Sequence, residues 1–78
     1  MKQVLTDLAK SIVNHPENVV VTESVEDDTV YLKLRVDESD LGKVIGKQGK
    51  IAKAVRTVVR AVANKENKRV IVDILEND

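Results

Sequence analysis

Cysteine, phenylalanine and tryptophan are absent from this chain, and Tyr31 is its only aromatic residue of the Phe, Trp and Tyr set. Each absence excludes something. Without cysteine there is no disulfide framework and no thiolate metal site to reinforce a small fold. Without a group of aromatic side chains, the base-stacking platforms of RRM domains, cold-shock proteins and OB folds cannot be built. No apolar run approaches the ~18 residues of a membrane span, and the first residues lack a signal-peptide pattern. The expectation is a cytoplasmic protein with no membrane insertion. Proline occurs once, at Pro16, and all three glycines lie between positions 42 and 49.

Seventy-eight residues make one domain, 1–78. A chain this short buries about 60–65% of its unfolded surface, so its core is small and oligomerisation is one remaining source of stability. The formal net charge is zero, yet it is unevenly spread. Residues 1–40 carry four basic and nine acidic side chains, a net of −5. Residues 41–78 carry nine basic and four acidic, a net of +5. Such asymmetry suggests a polyanion partner for the basic half, or else mutual attraction of the two halves within the fold.

The apolar spacing predicts a helix over 2–14, built on Val4, Leu5, Leu8, Ile12 and Val13, and Pro16 forbids its extension. Valines predict a strand over 18–26, and Glu26-Asp27-Asp28 a turn. Residues 29–37 alternate cleanly, with Val30, Leu32, Leu34 and Val36 on one face and Tyr31, Lys33 and Arg35 on the other. Ser39 is placed to cap a short helix over about 40–45, a longer helix runs over about 50–64, and a last strand over about 68–75 precedes a polar tail at Asn77-Asp78. The order α-β-β-α-α-β gives an α+β fold: a three-stranded sheet with three helices packed on one face.

On a wheel at about 100° per residue, Ile51, Val55, Val58 and Val62 fall in one arc and are expected to face the sheet. Lys53, Arg56 and Arg60 form a stripe roughly opposite. Val59, Ala52 and Ala63 widen the apolar arc into a shoulder that is either further core or a partner surface, with Val58 and Val59 as the interface residues in the second case.

The segment Val44-Ile45-Gly46-Lys47-Gln48-Gly49-Lys50 carries the chemistry. Two glycines three apart, between helix-compatible segments, fit a sharp turn whose backbone can approach a phosphate chain closely. The following helix offers unpaired N–H groups and the positive end of its dipole. Lys47, Lys50 and Lys53 add full charges beside the turn, and Lys43 one more. A Walker A loop needs four residues between its glycines and then Gly-Lys-Ser/Thr, whereas Gly42 and Gly46 enclose three and Gln48 follows Lys47. No Gly-x-Gly is present for a Rossmann turn. His15 sits beside Pro16 as an ordinary loop residue, and no pair of ionisable groups suggests general acid–base catalysis. The expectation is a binding module: no catalytic residue, no metal, no cofactor.

From Leu41 to Ile51 the sequence resembles the KH signature, an apolar pair followed by Gly-x-x-Gly between two helices. The extra helix and strand before the motif look like the type II arrangement. The whole chain, with Gly-Lys-Val-Ile-Gly-Lys-Gln-Gly and the later Arg56-Thr57-Val58-Val59, is similar to the small stand-alone bacterial KH proteins of the KhpA family. One departure stands out: KH patterns often place an aliphatic residue three after the second glycine, and here that position is Ala52, with Ile51 one earlier. The resemblance implies that Gly46 and Gly49 form the backbone-contacting turn and that Lys47 and Gln48 reach phosphate and sugar. It implies that Val44 and Ile45 floor an apolar groove, with Gly42 leaving room beside them and a strand, 29–37, as the other wall. It also implies single-stranded RNA as ligand, a homodimer or a heterodimer with a larger multidomain KH protein, and a regulatory or RNA-chaperone role linked to cell-envelope growth and division. A protein-interaction adaptor is the alternative.

Overall fold

In the computed structural model, which describes residues 1–75, three strands and three α-helices follow the expected order. Helix α1 (Lys2–Ile12) is followed by a 3-10 turn at Pro16–Asn18, then β1 (Val20–Glu26) and β2 (Thr29–Arg35). A second 3-10 turn, Glu38–Asp40, leads into α2 (Leu41–Ile45). The Lys47–Gly49 turn joins α2 to α3 (Lys50–Lys65), and β3 (Arg69–Ile74) closes the fold. The polar tail expected at Asn77-Asp78 lies outside the described residues.

The alternation in β2 dictates the layering. Val30, Leu32 and Leu34 are buried on one face, while Lys33 and Arg35 on the other are exposed. β2 is the central strand, antiparallel to β1 and parallel to β3. The β1–β2 hairpin closes through Asp27 and Asp28, with Asp27 left-handed at φ 54°. Leu5 and Ala9 of α1, Val44 of α2, and Val55, Val59 and Ala63 of α3 join Val21, Val70 and Val72 in one core.

Helix α3 docks on a different arc from the one its valines predict. Ala52, Val55, Val59 and Ala63 are buried, whereas Ile51 and Val58 are 39% and 44% exposed. Alanine contributes little to a hydrophobicity wheel, but its small side chain lets a helix lie close to a sheet already filled by leucine and valine. The bulkier residues are left on the rim. Arg56, in the basic stripe, is half-buried, and its Nε–H donates to the Val72 carbonyl at 3.2 Å. β3 is an edge strand, and this bond covers part of an edge that would otherwise offer unpaired backbone groups.

Ser39 does not cap α2, whose N-cap is Asp40 without a side-chain capping bond; Asp37 caps the 3-10 turn before it. Its carboxylate accepts the Ser39 N–H at 3.0 Å and a bond from the Ser39 hydroxyl. The hydrogen bond from the Ser39 hydroxyl is the main cause holding the Asp37 pKa below the usual carboxylate range, with the Ser39 N–H adding to it. Asp40, 1% exposed, accepts the His15 N–H at 2.9 Å, and its Oδ2 lies 3.0 Å from His15 Nδ1. The segment leaving α1 is thereby fastened to the start of α2. The hydrogen bond to Asp40 raises the His15 pKa. For Asp40, burial pushes upward, but the Asn14 and His15 donors outweigh it and leave the pKa lowered.

These shifts set a pH dependence. A His15 pKa raised on folding contributes stability that is full below histidine's ordinary value, about 6.5, and is lost as pH rises through the folded value. Lowered Asp37 and Asp40 values contribute stability above the ordinary carboxylate range that is lost as pH falls through their depressed values. Urea unfolding from pH 5 to 9 is therefore expected to show stability declining toward the alkaline end in the wild type and a flatter profile in His15→Ala. Parallel profiles would contradict the assignment.

Candidate nucleic-acid interface

The turn between α2 and α3 is built from backbone that most residues resist. Gly46 has φ 75° and ψ 175°, a region occupied essentially by glycine alone. A Cβ added there would lie 2.7 Å from Ile51 Cβ and 2.9 Å from the Ile51 backbone nitrogen. Gly46 thus lets the start of α3 fold back against the end of α2. Ile51 performs this packing, and Ala52 beside it, 4% exposed, enters the core, which accounts for the alanine at that position. Gly49 is left-handed at φ 74°, but an added Cβ there would meet nothing within 4 Å. Gln48 is also left-handed, at φ 57°, a conformation costing a non-glycine residue about 1 kcal/mol or more. That strain was not visible in the residue types.

The turn is held by the Gly46 N–H to the Gly42 carbonyl at 2.8 Å and the Gly49 N–H to the Gly46 carbonyl at 3.2 Å. Lys47, Gln48, Lys50 and Lys53 are exposed around it. Among the described residues none of these three lysines lies within ion-pair distance of a carboxylate. Lys43 is exposed too, but its Nζ is 4.0 Å from Asp40 Oδ1, which partly offsets its charge. The 16-residue α3 starts at Lys50, so its first N–H groups and dipole end open beside the turn.

Other expected contacts are revised. Gly42 is exposed with open space above it, and Ile45 is half-buried. Val44 is fully buried, so it supports the α2–α3 packing from beneath and presents no surface to a ligand. Val59 is likewise 0% exposed and cannot meet a partner; of the shoulder pair only Val58 stands outside. β2 cannot wall a groove with its inner face, because Val30, Leu32 and Leu34 are under the helices; the strand along which α3 packs is β3.

His15, Asp37 and Asp40 form a cluster that sequence spacing did not bring together, with ligand-type atoms within 4.8 Å of one another. Both Asp37 oxygens and Asp40 Oδ2 already bind Ser39, Asn18 and the His15 backbone, whereas Asp40 Oδ1 is buried without a hydrogen-bond partner and has only Lys43 Nζ near it, at 4.0 Å.

The model of the KhpA/KhpB KH domain matches residues 2–74. The chain belongs to that family. As a KH domain it is of the type II order, with the extra helix and strand ahead of the glycine turn. Among its relatives, the RNA-binding protein KhpA of Clostridium acetobutylicum is 55% identical over 75 residues, covering 96% of this chain and 100% of that protein. KhpA of Clostridium perfringens is 53% identical with the same coverage. KhpA of Listeria monocytogenes is 45% identical over 76 residues, 97% of this chain and 100% of its own. These relatives are named for binding, not for catalysis. Part of an Aquifex aeolicus Era variant bound to GDP·AlF4⁻ shares the fold, with TM-score 0.69 and 16% identity over 96% of this chain. Era in complex with MgGDPNP and a segment of 16S ribosomal RNA gives 0.65 and 18% over 94%. This chain spans under a third of either Era chain, 29% and 28%.

KH-family membership makes the unequal surroundings of the two glycines testable. Gly49→Ala is expected to cost about 1 kcal/mol of left-handed strain. Gly46→Ala is expected to cost about 3 kcal/mol or more, because a glycine-only conformation and a clash with Ile51 combine. Chemical denaturation of both variants measures the difference, and equal losses would contradict the Ile51 contact.

Proposed function

We propose that this protein binds single-stranded RNA through the backbone turn at 46–49 and has no catalytic activity. The observation that carries this reading is the exposed, positive-φ turn at the start of α3, ringed by cations without carboxylate partners among the described residues. Gly46 and Gly49 are the surfaces on which a sugar–phosphate chain can lie, and Lys47 and Gln48 project toward it. Lys50 and Lys53 extend the positive field along the first turn of α3, with Lys43 beside them. Ile45, and Gly42 with its open space, border an apolar margin for unstacked bases. The names of the relatives support RNA as the polyanion. KH domains hold about four nucleotides. With no aromatic platform, the grip is on backbone more than base, so sequence selectivity is weak. A cytoplasmic regulator or RNA chaperone serving cell-envelope growth and division fits this grip, and rests on the family resemblance.

Replacing Lys47 and Gln48 by aspartates is expected to abolish binding of a labelled uridylate oligonucleotide in fluorescence polarisation while leaving the circular dichroism spectrum unchanged. For the wild type, log K is expected to fall with log salt at a slope of roughly −2 to −3, from three or four neutralised phosphates. Undiminished affinity in the double variant would refute the reading.

A second reading is favoured by α3 itself. Ile51, Ala54, Val58 and Ala61 are all exposed and follow helical spacing, giving an apolar stripe on the side away from the core. We propose that this stripe pairs with a second KH chain, either another copy or a larger multidomain partner. Sedimentation of the wild type should show a dimer that Val58→Glu disperses; a monomeric wild type would remove the homodimer.

A further inference from the structure

At the other end of α3 lies a cavity of about 490 Å³ that the turn does not use. Arg60 and Asn64 line it from the helix, and Lys68 and Arg69 from the start of β3. Tyr31 and Ile71, register partners across β2 and β3, complete the lining. No carboxylate lines it. Among the described residues, Arg60, Lys68 and Arg69 make no ion pair with any carboxylate. Three cations without ion pairs among the described residues, beside the chain's only tyrosine and beside Ile71, which is 52% exposed, make a composite surface. It offers charge for a phosphate and a ring with an aliphatic neighbour for a sugar or base. A solvated charged patch would account for the cations alone, but not for their convergence on one recess that Tyr31, Val70 and Ile71 also line.

We propose that this cavity holds a nucleotide of a single RNA strand downstream or upstream of the four gripped by the glycine turn. Its phosphate lies among Arg60, Lys68 and Arg69, and its sugar or base rests against Tyr31 and Ile71. This rests on the turn-binding reading above. The spacing agrees with it. A rise of 1.5 Å per residue puts Arg60 about 15 Å along α3 from Lys50, and Asn64 about 21 Å. Four nucleotides at about 3.4 Å or more each span about 14 Å or more. A strand leaving the turn along the β3 side of α3 therefore reaches the cavity with its next one or two nucleotides. Lys53 and Arg56 lie between the two sites on the same helix, Arg56 facing β3.

The test uses the full chain, uridylate oligonucleotides of 4 and 12 residues, and free UMP. The variants are a cavity triple, Arg60→Ala with Lys68→Ala and Arg69→Ala, and the turn double, Lys47→Asp with Gln48→Asp. We expect the triple to weaken the 12-mer about tenfold, to reduce the magnitude of its salt slope by about two, and to leave the 4-mer unchanged. In wild-type NMR spectra the ring resonances of Tyr31, the sole tyrosine, should shift with the 12-mer and stay still with the 4-mer. An unchanged 12-mer affinity, an equal loss for both lengths, or a motionless Tyr31 ring would each overturn the proposal. Saturable movement of Tyr31 by UMP, with 12-mer affinity unaltered in the triple, would assign the cavity to free nucleotide instead and also overturn it. If the turn double binds the 4-mer normally while the triple still loses the 12-mer, the turn reading fails and the cavity remains a nucleotide site.

Discussion

The contact between Gly46 and Ile51 is the constraint on which the site depends. Because Gly46 occupies a backbone region closed to other residues, α3 can begin almost in contact with the end of α2. That proximity leaves the Lys47–Gly49 turn projecting, with Gln48 in a left-handed conformation and its side chain exposed. It also fixes where the first N–H groups of α3 point. Without the Gly46 conformation the two helices would separate, and the lysines would remain on the chain but lose their common focus. The strain at Gln48 is local, and the packing of α2 and α3 on the core holds it in place. Val44 and Val55 anchor either side of the turn from within.

A chain with balanced charge binds a polyanion only if it keeps its acids elsewhere. The fold does this by tying some of them down. Asp37 caps a 3-10 turn, and Asp40 is buried against His15 and the backbone that follows α1. Both acids stand just ahead of α2, close in sequence to the cations, yet their charge is directed inward toward N–H donors. The same bonds fasten α1 to α2, so one structural device both orients the helix that leads into the turn and moderates the local negative field. Screening by salt reduces what remains between exposed groups.

Much of the architecture was legible in residue order. The alternation of Val30, Leu32 and Leu34 fixed β2, Pro16 ended α1's extension, and the paired glycines marked the turn. The dock of α3 was half legible: Val59, Ala52 and Ala63 read as core or partner surface and are core, but the arc of Ile51, Val58 and Val62 outweighed the alanines, whose small size decides how closely helix and sheet approach. Val44 and Val59 illustrate the same limit: Val44 reads as ligand floor, and Val59 as either core or partner surface, until burial shows both in the core. The bond from Arg56 to β3 was hidden for another reason. A wheel orders side chains around one helix and carries no information about the edge of a neighbouring strand. The His15–Asp40 contact spans 25 positions, and neither a spacing rule nor a charge count joins residues so far apart.

The poverty of aromatic residues ties these features together. A domain that cannot stack several bases must hold a strand by its phosphates, and phosphate contacts position a strand without reading it. Such a grip gains from length, since each additional neutralised phosphate adds to the same counterion release. The basic half of the chain is arranged for length: the turn lysines lie at one end of α3, and Arg60, Lys68 and Arg69 near the other. Tyr31, the sole tyrosine, lies beside that second group rather than beside the glycines. On the proposed reading, labour is divided between the two ends, the glycine turn gripping through its exposed main chain and the cavity through side chains.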